Sequence, residues 1–275
     1  MSTTLAIDLG GTHVRAARIT EGNIEKKATI NCNANGTKQE VIEQLFALID
    51  QVISPKVECI GIGVPSVVDY ENGIVYNAQN IPSWDEVHLK EIIEEKYQVT
   101  AKVDNDVNCY VMGEKCFGTN KPYQNIVGIT LGTGIGAGII IDGQVYRGAN
   151  TGAGEIGCLP YKDADYEQYC SSQWMKRNGL DAKELYEKAQ KGDAEALAHW
   201  NEFGYHLGKF IQVILLTYDP EAIIIGGGIS GGAPYFKEAM LTSMTENFPY
   251  QHEIEKINIH FSVLADCNLL GASKL

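Results

Sequence analysis

The sequence predicts an α/β protein built from two similar domains. One pattern occurs twice, at residues 5–19 and 125–142: an apolar run, a turn of Gly and Thr, and a second apolar run. Strand, turn, strand is the simplest interpretation of each copy. Residues 4–64 further predict the order β-β-β-α-β, which is typical of a mixed sheet covered by a helix. A length of 275 residues also favours two domains.

Both turns contain residues that leave backbone amides open to a ligand. They are Gly10-Gly11-Thr12 and Gly132-Thr133-Gly134. Glycine permits positive φ and the close approach of a ligand or another segment, and concave groups of amides bind anions, phosphates above all. Two ordinary tight hairpins are the alternative. Because each half of the chain has one copy, we expect both turns to face one cleft and bind nucleotide phosphate.

Composition limits the class of partner. The chain has 22 basic and 35 acidic residues and a formal charge of −13, which argues against a nucleic-acid or anionic-membrane partner. We expect no transmembrane helix, because no run of about 18 apolar residues occurs, and we identify no signal peptide. Seven cysteines without a Cys-x-x-Cys pair predict reduced thiols in a cytoplasmic protein.

Periodicity predicts the remaining elements of the first half. Helices are predicted over 37–52 and 87–97, strands over 57–64 and 100–103, and an ordered loop over 65–85. In this loop, Trp84 beside Asn77, Gln79 and Asn80 predicts either a sugar-binding surface or a packed Trp with surface amides. After the last strand, Asn105 or Asp106 is predicted to cap a helix. Asp106 is also a candidate carboxylate base.

The second half is predicted to be mainly helical after its hairpin. Helices are predicted over 165–177, 183–191, 193–218 and about 234–248, with strands over 222–230 and 257–263. Gly226, Gly228 and Gly231 fit Gly-x-Gly-x-x-Gly, a weak dinucleotide signal by itself. Since a Rossmann fold places this motif in its first βαβ unit, a glycine platform under an adenosine suits this late position better.

Seven segments, in order, resemble those of the ROK sugar kinases, within the actin and hexokinase ATPase superfamily. The segments are Asp8–Thr12, Gly61–Pro65 with Asp69, Asn80–Trp84, Asp104–Asp106 with Asn108 and Gly113-Glu114, Leu131–Gly138, Gly154–Gly157 and Ile225–Ser230. The resemblance runs nearly end to end. It implies two actin-like (ribonuclease H-like) α/β domains with mixed five-stranded sheets around a central cleft. We expect a small domain over 1–117, completed by 265–275, and a larger domain over 118–264.

The resemblance implies an ATP-dependent kinase that phosphorylates a hexose hydroxyl, with O6 of glucose as the default. N-acetylmannosamine, N-acetylglucosamine, fructose and allose remain alternatives, and a homodimer is expected from the family alone. Asp106 is implied as the catalytic base and Asp8 as the residue that orients Mg²⁺ through water. The implied sugar site comprises Asn80, Asn105, Asp106, Glu155 and Glu167, with Cys158 and Ser66 at positions that set selectivity. The implied ATP contacts are Gly10, Gly11, Thr12, Gly132, Thr133 and Gly134 for phosphate and Gly226, Gly227 and Gly228 for adenosine.

The chain departs from the family at its zinc motif. ROK kinases usually have one His and three Cys on zinc after the first sugar-binding Glu, whereas here Cys158 stands at the His position and only Cys170 remains nearby. A closed structural site needs four protein ligands, so we predict no zinc site. Ser66 also replaces a glycine, and Asp104 replaces a glutamate.

Two other functions remain open. One is a sugar-binding protein that lost catalysis together with zinc; the intact Asp106 and hairpins favour the enzyme. The other is an NAD-dependent protein using the glycines at 226–231, which leaves both hairpins unexplained. Because no helix-turn-helix precedes the first hairpin, we do not expect a DNA-binding repressor.

Overall fold

The computed structural model describes residues 2–150 and 152–275. The strands are β1 (Thr3–Leu9), β2 (His13–Thr20), β3 (Asn23–Asn31), β4 (Val57–Val64), β5 (Val67–Asp69), β6 (Ile74–Tyr76), β7 (Glu86–His88), β8 (Thr100–Asn105), β9 (Ile126–Leu131), β10 (Ile135–Ile141), β11 (Gln144–Val145), β12 (Pro160–Tyr161), β13 (Ala164–Asp165), β14 (Ala222–Gly226) and β15 (Asn258–Phe261). The helices are α1 (Lys38–Val52), α2 (Leu89–Tyr97), α3 (Asp106–Phe117), α4 (Tyr166–Cys170), α5 (Ser172–Arg177), α6 (Ala182–Gln190), α7 (Ala194–Tyr218), α8 (Ala233–Thr245), α9 (Gln251–Ile254) and α10 (Cys267–Ala272). Short 3₁₀ helices occupy Glu155–Cys158 and Gly228–Gly232.

The first compact unit comprises the described residues of 1–121, 147–152 and 264–275. Its five-stranded sheet has the order β3-β2-β1-β4-β8, in which β1, β4 and β8 are parallel. Side chains alternate along β1, so that Leu5 and Ile7 join the larger apolar core while Ala6 packs with Leu269 of α10. The sheet is therefore covered on both faces.

Helices α3 and α10 pack so closely that their backbones are in contact. A Cβ on Gly271 would lie 1.7 Å from the carbonyl oxygen of Cys109, and a Cβ on Gly61 would lie 1.9 Å from that of Ala272. Both positions require glycine, because a side chain at 271 would push α10 away from α3 and a side chain at 61 would push α10 away from β4. Residues 264–275, which include α10, belong to the first unit.

Residues 65–85 were predicted as a loop, and that prediction is wrong in part. Strands β5, β6 and β7 form a three-stranded antiparallel sheet that begins within this segment. Each strand has only three residues, too few for alternation to be recognised in the sequence. Trp84 is 1% exposed and packs in the core. The alternative of a packed Trp is therefore correct, and Trp84 does not present an aromatic surface to a sugar.

The second compact unit comprises the described residues of 122–146 and 153–263. Its sheet order, β11-β10-β9-β14-β15, repeats the arrangement of the first: an antiparallel hairpin followed by parallel strands. Helix α8 packs tightly on α7, since a Cβ on Gly204 or Gly208 would lie 2.4 Å from a carbonyl oxygen of α8. The repeated hairpin in the sequence therefore marks two units of one topology.

Two further details differ from the prediction. The helix expected over 165–177 is interrupted at Ser171, whose side chain caps α5 through the amide of Gln173. The described residues of 147–152, expected in the larger domain, belong to the first unit, where Arg147 forms an ion pair with Asp104. In the part of the chain that is described, no helix has the length and apolar character needed to span a membrane.

Candidate active site

The first unit presents a row of site positions at the carboxyl ends of its parallel strands. Asp8, Gly63 and Asp104 are register partners on β1, β4 and β8. Neighbouring strands are about 4.8 Å apart, so the two aspartates occupy backbone positions about 10 Å apart. Gly63 lies between them, and its lack of a side chain makes room for Cys109 of α3: a Cβ on Gly63 would lie 3.0 Å from Sγ of Cys109. Ligands of open α/β sheets bind beyond such strand ends.

Asp8 is held by two polar neighbours. It is 6% exposed. Arg15, its register partner on β2, donates to Oδ2, and Nδ2 of Asn268 lies 3.5 Å from Oδ1. The carboxylate is therefore oriented while it keeps lone pairs for a further donor.

Asp104 organises the beginning of α3. Its Oδ1 accepts hydrogen bonds of 2.8 Å from the amide of Asn105 and from Nδ2 of Asn108. Arg147 donates to Oδ2 from Nε at 2.8 Å and from Nη2 at 2.6 Å. The guanidinium also stacks on Tyr70, 3.6 Å from the ring centroid. Arg147 thereby neutralises a carboxylate that is only 2% exposed.

Asn105 caps α3, as predicted, whereas Asp106 is the first residue of the helix. Oδ1 of Asn105 accepts from the amides of Val107 at 2.8 Å and Asn108 at 3.3 Å. Its Nδ2 donates to the carbonyl oxygen of Ser66 at 3.1 Å. Ser66 is itself buried and donates to the carbonyl of Tyr76. Asp106 is half-buried and directly follows the end of β8, next to the fixed side chain of Asn105.

The first glycine turn requires glycine because of close contacts, not because of positive φ. Gly10 and Gly11 both have ordinary negative φ among the described residues. A Cβ on Gly11 would lie 2.4 Å from Cβ of Asn80, so the predicted sugar loop rests directly on this turn. Thr12 is exposed. The structure therefore brings the predicted phosphate turn and Asn80 together.

The segment that joins α4 and α5 forms hydrogen bonds with the second glycine turn. The amide of Ser172 donates to the carbonyl of Gly132 at 2.9 Å, and Oγ of Ser171 donates to that of Thr133 at 3.2 Å. Oε2 of Glu167 accepts from the amide of Ile135 at 3.0 Å. Thr133 is exposed, so these hydrogen bonds leave the outer side of the turn accessible.

The predicted adenosine glycines lie beside this turn in the same sheet. Gly227 has φ +85°, and a Cβ there would lie 2.3 Å from the carbonyl oxygen of Leu131. Gly228 and Gly231, in contrast, have no atom within 4 Å of a Cβ position among the described residues. One glycine is required for strand packing, and the other two are exposed and leave a surface without side chains. Such a surface suits a planar base.

Glu155 and Cys158 bracket the 3₁₀ helix that follows Gly154. Gly154 has φ +100°, and a Cβ there would lie 2.1 Å from the carbonyl oxygen of Ala137, which fixes this segment on β10. Partial desolvation and the nearby Glu167 raise the pKa of Glu155. Desolvation and the same carboxylates raise the pKa of the Cys158 thiol. The three predicted sugar-site residues of the second unit therefore form one acidic group.

No cluster of three or more His, Cys, Asp or Glu side chains suited to a metal ion occurs within residues 2–150 and 152–275. The residues at the expected zinc position are Cys158, which is exposed, and Cys170, which is buried. Two cysteines fall short of the four protein ligands that a closed structural zinc site needs. The donor set thus does not fit a structural zinc ion.

Several supporting residues were not identified in the sequence. Arg147, Ser171 and Asn268 act on partners 43, 38 and 260 positions away, respectively. Short-range spacing contains no signal for such contacts. Tyr70, whose ring stacks on Arg147, directly follows Asp69, which belongs to one of the sequence motifs.

Comparison with known proteins shows the same family throughout. A sequence model described as "ROK family" matches residues 4–275. The glucokinase of Thermotoga maritima is 29% identical, over 98% of this chain and 96% of that protein. The xylose repressor of Bacillus subtilis is 31% identical, over 76% of this chain and 59% of the repressor.

A solved structure extends the comparison to the fold. The crystal structure of a ROK family glucokinase from Streptomyces griseus in complex with glucose and AMPPNP covers 99% of this chain, and the match includes 98% of that chain. The TM-score is 0.84 at 24% identity. The predicted class, actin-like α/β units with mixed five-stranded sheets, is confirmed.

Proposed function

Since this chain belongs to the ROK family, we propose that it is an ATP-dependent hexose kinase, with O6 of glucose as the first candidate acceptor. The observation that carries the proposal is the fixed beginning of α3. Asn105 is held as the cap, Asp104 is neutralised by Arg147, and Asp106 follows at the carboxyl end of a parallel strand. A carboxylate held in this way suits a general base.

In the proposed reaction, Asp106 accepts the proton of the sugar hydroxyl. The hydroxyl oxygen attacks the γ-phosphorus in line, the bond from this phosphorus to the β–γ bridging oxygen breaks, and ADP leaves. Phosphoryl transfer depends mainly on positioning and charge stabilisation. The proposed sugar contacts are Asn80, Asn105, Glu155 and Glu167, with Ser66 and Cys158 at selectivity positions.

The glycine segments are proposed to bind ATP. Amides of Gly10–Thr12 and Gly132–Gly134 stabilise the phosphate charge, and Gly226–Gly228 form the platform for adenosine. Support comes from the position of the two segments in the second unit, where Gly227 contacts Leu131 at the beginning of the phosphate turn. An NAD-dependent function, the earlier alternative for these glycines, leaves this adjacency without a role.

Mg²⁺ is proposed to accompany ATP, and the residues present fit it. Mg²⁺ prefers oxygen ligands, keeps several waters, and uses one or two carboxylates together with substrate phosphates. Asp8 is a carboxylate whose orientation Arg15 and Asn268 fix while lone pairs remain. When bound, the ion would neutralise charge on the β- and γ-phosphates.

A second candidate is a sugar-binding protein without catalysis. The likeness to the xylose repressor of Bacillus subtilis supports it, although this chain spans only 59% of that repressor. Among kinases, N-acetylmannosamine, N-acetylglucosamine, fructose and allose are the competing substrates. Ser66 and Cys158 stand where a changed side chain would select among them.

An ADP-release assay over these hexoses, with Asp106→Asn as the matched control, tests the proposal. Turnover with at least one hexose is expected. Asp106→Asn is expected to lose about 10²- to 10⁴-fold in rate while calorimetry shows retained sugar binding. Sugar binding without turnover in the unmodified protein would favour the non-catalytic alternative. Unchanged turnover in Asp106→Asn would remove Asp106 from its role.

A further inference from the structure

Glu167 lies against the second phosphate turn. Its Oε2 accepts the amide hydrogen of Ile135 at 3.0 Å, directly after Gly134. A Cβ on Gly134 would lie 2.3 Å from the same oxygen and 2.8 Å from Cδ. The carboxylate therefore occupies the space that glycine leaves free, and it bonds the first amide of the returning strand.

The backbone around Glu167 bonds to the same turn. Ser171 is fully buried, and its Oγ lies 2.6 Å from the carbonyl oxygen of Glu167 and 3.2 Å from that of Thr133. The next amide, of Ser172, donates to Gly132. Residues 167–172 thus contact three backbone positions of the turn, at 132, 133 and 135.

Helix α4 holds Glu167 at this position. Oδ1 of Asp165 accepts from the amide of Gln168 at 2.8 Å and caps the helix, and the amide of Tyr166 donates to the carbonyl of Leu159 at 3.1 Å. Tyr166 is buried, and its ring stacks on Tyr161 with centroids 4.3 Å apart. The residues on either side of Glu167 are fixed, so its carboxylate is presented to the turn by a rigid support.

We propose that Glu167 is a positioning residue for the second phosphate turn and thereby a determinant of nucleotide affinity, a role distinct from the sugar contact that the resemblance implies. The proposal rests on the proposed function, because it takes this turn to bind ATP phosphate. A preorganised turn loses less conformational freedom when the ligand binds. Without the carboxylate, the amide of Ile135 loses a charge-assisted bond and the turn loses its lateral support.

The test measures the Kd of AMPPNP with Mg²⁺ by calorimetry, without sugar, for the unmodified protein and for Glu167→Ala, Glu167→Gln and Glu187→Ala. Glu167→Ala is expected to weaken AMPPNP binding about fivefold to tenfold. This is about the effect of losing one hydrogen bond to a charged group when that group supports the turn and does not touch the nucleotide. Glu167→Gln keeps an acceptor oxygen and is expected to stay within about twofold. Glu187→Ala, the loss of an exposed carboxylate on α6, should leave nucleotide affinity unchanged.

A second measurement needs no ligand. Gly134→Ala is expected to lower Tm in the unmodified protein, because the added methyl meets the Glu167 carboxylate. In the Glu167→Ala background this loss should shrink, since the nearest obstructing atoms are those of Glu167. An equal loss of Tm in both backgrounds would contradict the contact.

The two failures can be told apart. If the unmodified protein binds AMPPNP and Glu167→Ala binds it equally well, with only sugar affinity reduced, the positioning role is overturned and the kinase proposal stands. If the unmodified protein binds no AMPPNP and phosphorylates no hexose, the kinase proposal fails, and the role in nucleotide affinity fails with it.

Discussion

The buried carboxylate of Asp104 in the first unit depends on the positive charge of Arg147. Asp104 is almost fully enclosed, and Arg147 is its only cationic partner among the described ion pairs. Removing one member of a buried pair leaves an uncompensated charge, which is more costly than removing both. Arg147 thus stabilises the segment from which Asn105 and Asp106 project.

Arg147→Met is expected to lower the free energy of unfolding by about 2 kcal/mol, since Asp104 loses its counter-charge and Tyr70 loses its stacking partner. In the Asp104→Asn background the same change should cost less, because an amide needs no counter-charge. Urea titrations of the four variants measure the coupling. Equal costs in both backgrounds would show that the pair is not coupled.

A buried histidine in the second unit predicts acid sensitivity. His206 is 2% exposed, and its Nδ1 shares a 3.1 Å hydrogen bond with Oη of Tyr161. Burial, assisted by the nearby Lys162, lowers the pKa of His206 from 6.5 to about 4. The folded protein therefore keeps this ring neutral at pH values where the unfolded chain protonates it.

Stability from His206 is present above pH 6.5 and is lost as the pH falls toward 4. The free energy of unfolding falls by about 3 kcal/mol by about pH 4, because each unit of difference between the two pKa values contributes about 1.36 kcal/mol. His206→Phe should remove this part of the pH dependence. Urea titrations at several pH values between 7 and 4 compare the two proteins. Parallel stability curves would contradict the assignment.

Residue identities alone predicted part of the site. Asn105 could be assigned as a cap because capping depends on neighbours within three positions. Arg147, Ser171 and Glu167 could not be given their observed roles, since each acts on a backbone or carboxylate far away in the chain.

At the scale of elements, glycines determine how segments approach one another. Neither of the two proposed phosphate turns uses a positive φ, whereas Gly154 and Gly227 do. In the sequence all these glycines look alike. Only the packing separates those that admit a neighbouring segment from those that leave an open surface.

The proposed adenosine segment contains both kinds of glycine, and they serve as matched variants. Gly227→Ala is expected to destabilise the second unit by about 3 kcal/mol or more, because a positive φ and a backbone clash with Leu131 combine. Gly228→Ala should change stability by less than about 0.5 kcal/mol and weaken AMPPNP binding. Thermal unfolding and calorimetry separate the two effects. Equal loss of stability would contradict the distinction.

Long periodic elements were predicted well and short ones poorly. Helix α7 begins after its cap Asp193 and ends at Tyr218, as predicted, because 25 residues sample the helical period many times. The small sheet of β5, β6 and β7 and the interruption at Ser171 were missed. Their strands and helices are too short for a period to emerge.

At the scale of the whole molecule, each unit has an apolar core of its own. The larger cores include Leu5 and Ile62 in the first unit and Trp200 and Phe236 in the second. Burial of such surface is the main favourable contribution to folding. Neither core includes a candidate metal cluster among residues 2–150 and 152–275.

Chelation should therefore affect turnover but not folding. Dialysis against EDTA is expected to abolish the proposed kinase activity, which Mg²⁺ should restore, while the Tm of the ligand-free protein stays the same. Differential scanning calorimetry and the ADP-release assay measure the two. A fall in Tm that Zn²⁺ reverses would show a structural zinc site.

The sequence by itself determined the two α/β units, the paired hairpins, the long helices and the family, because these depend on local periodicity and on motifs of contiguous residues. The tertiary structure alone decided which side chains support the motifs: Arg147 on Asp104, Asn80 on Gly11, and Glu167 on the turn at 132–135. Such contacts join positions far apart in the chain. Their geometry follows from strand register and helix packing, which no short window of residues contains.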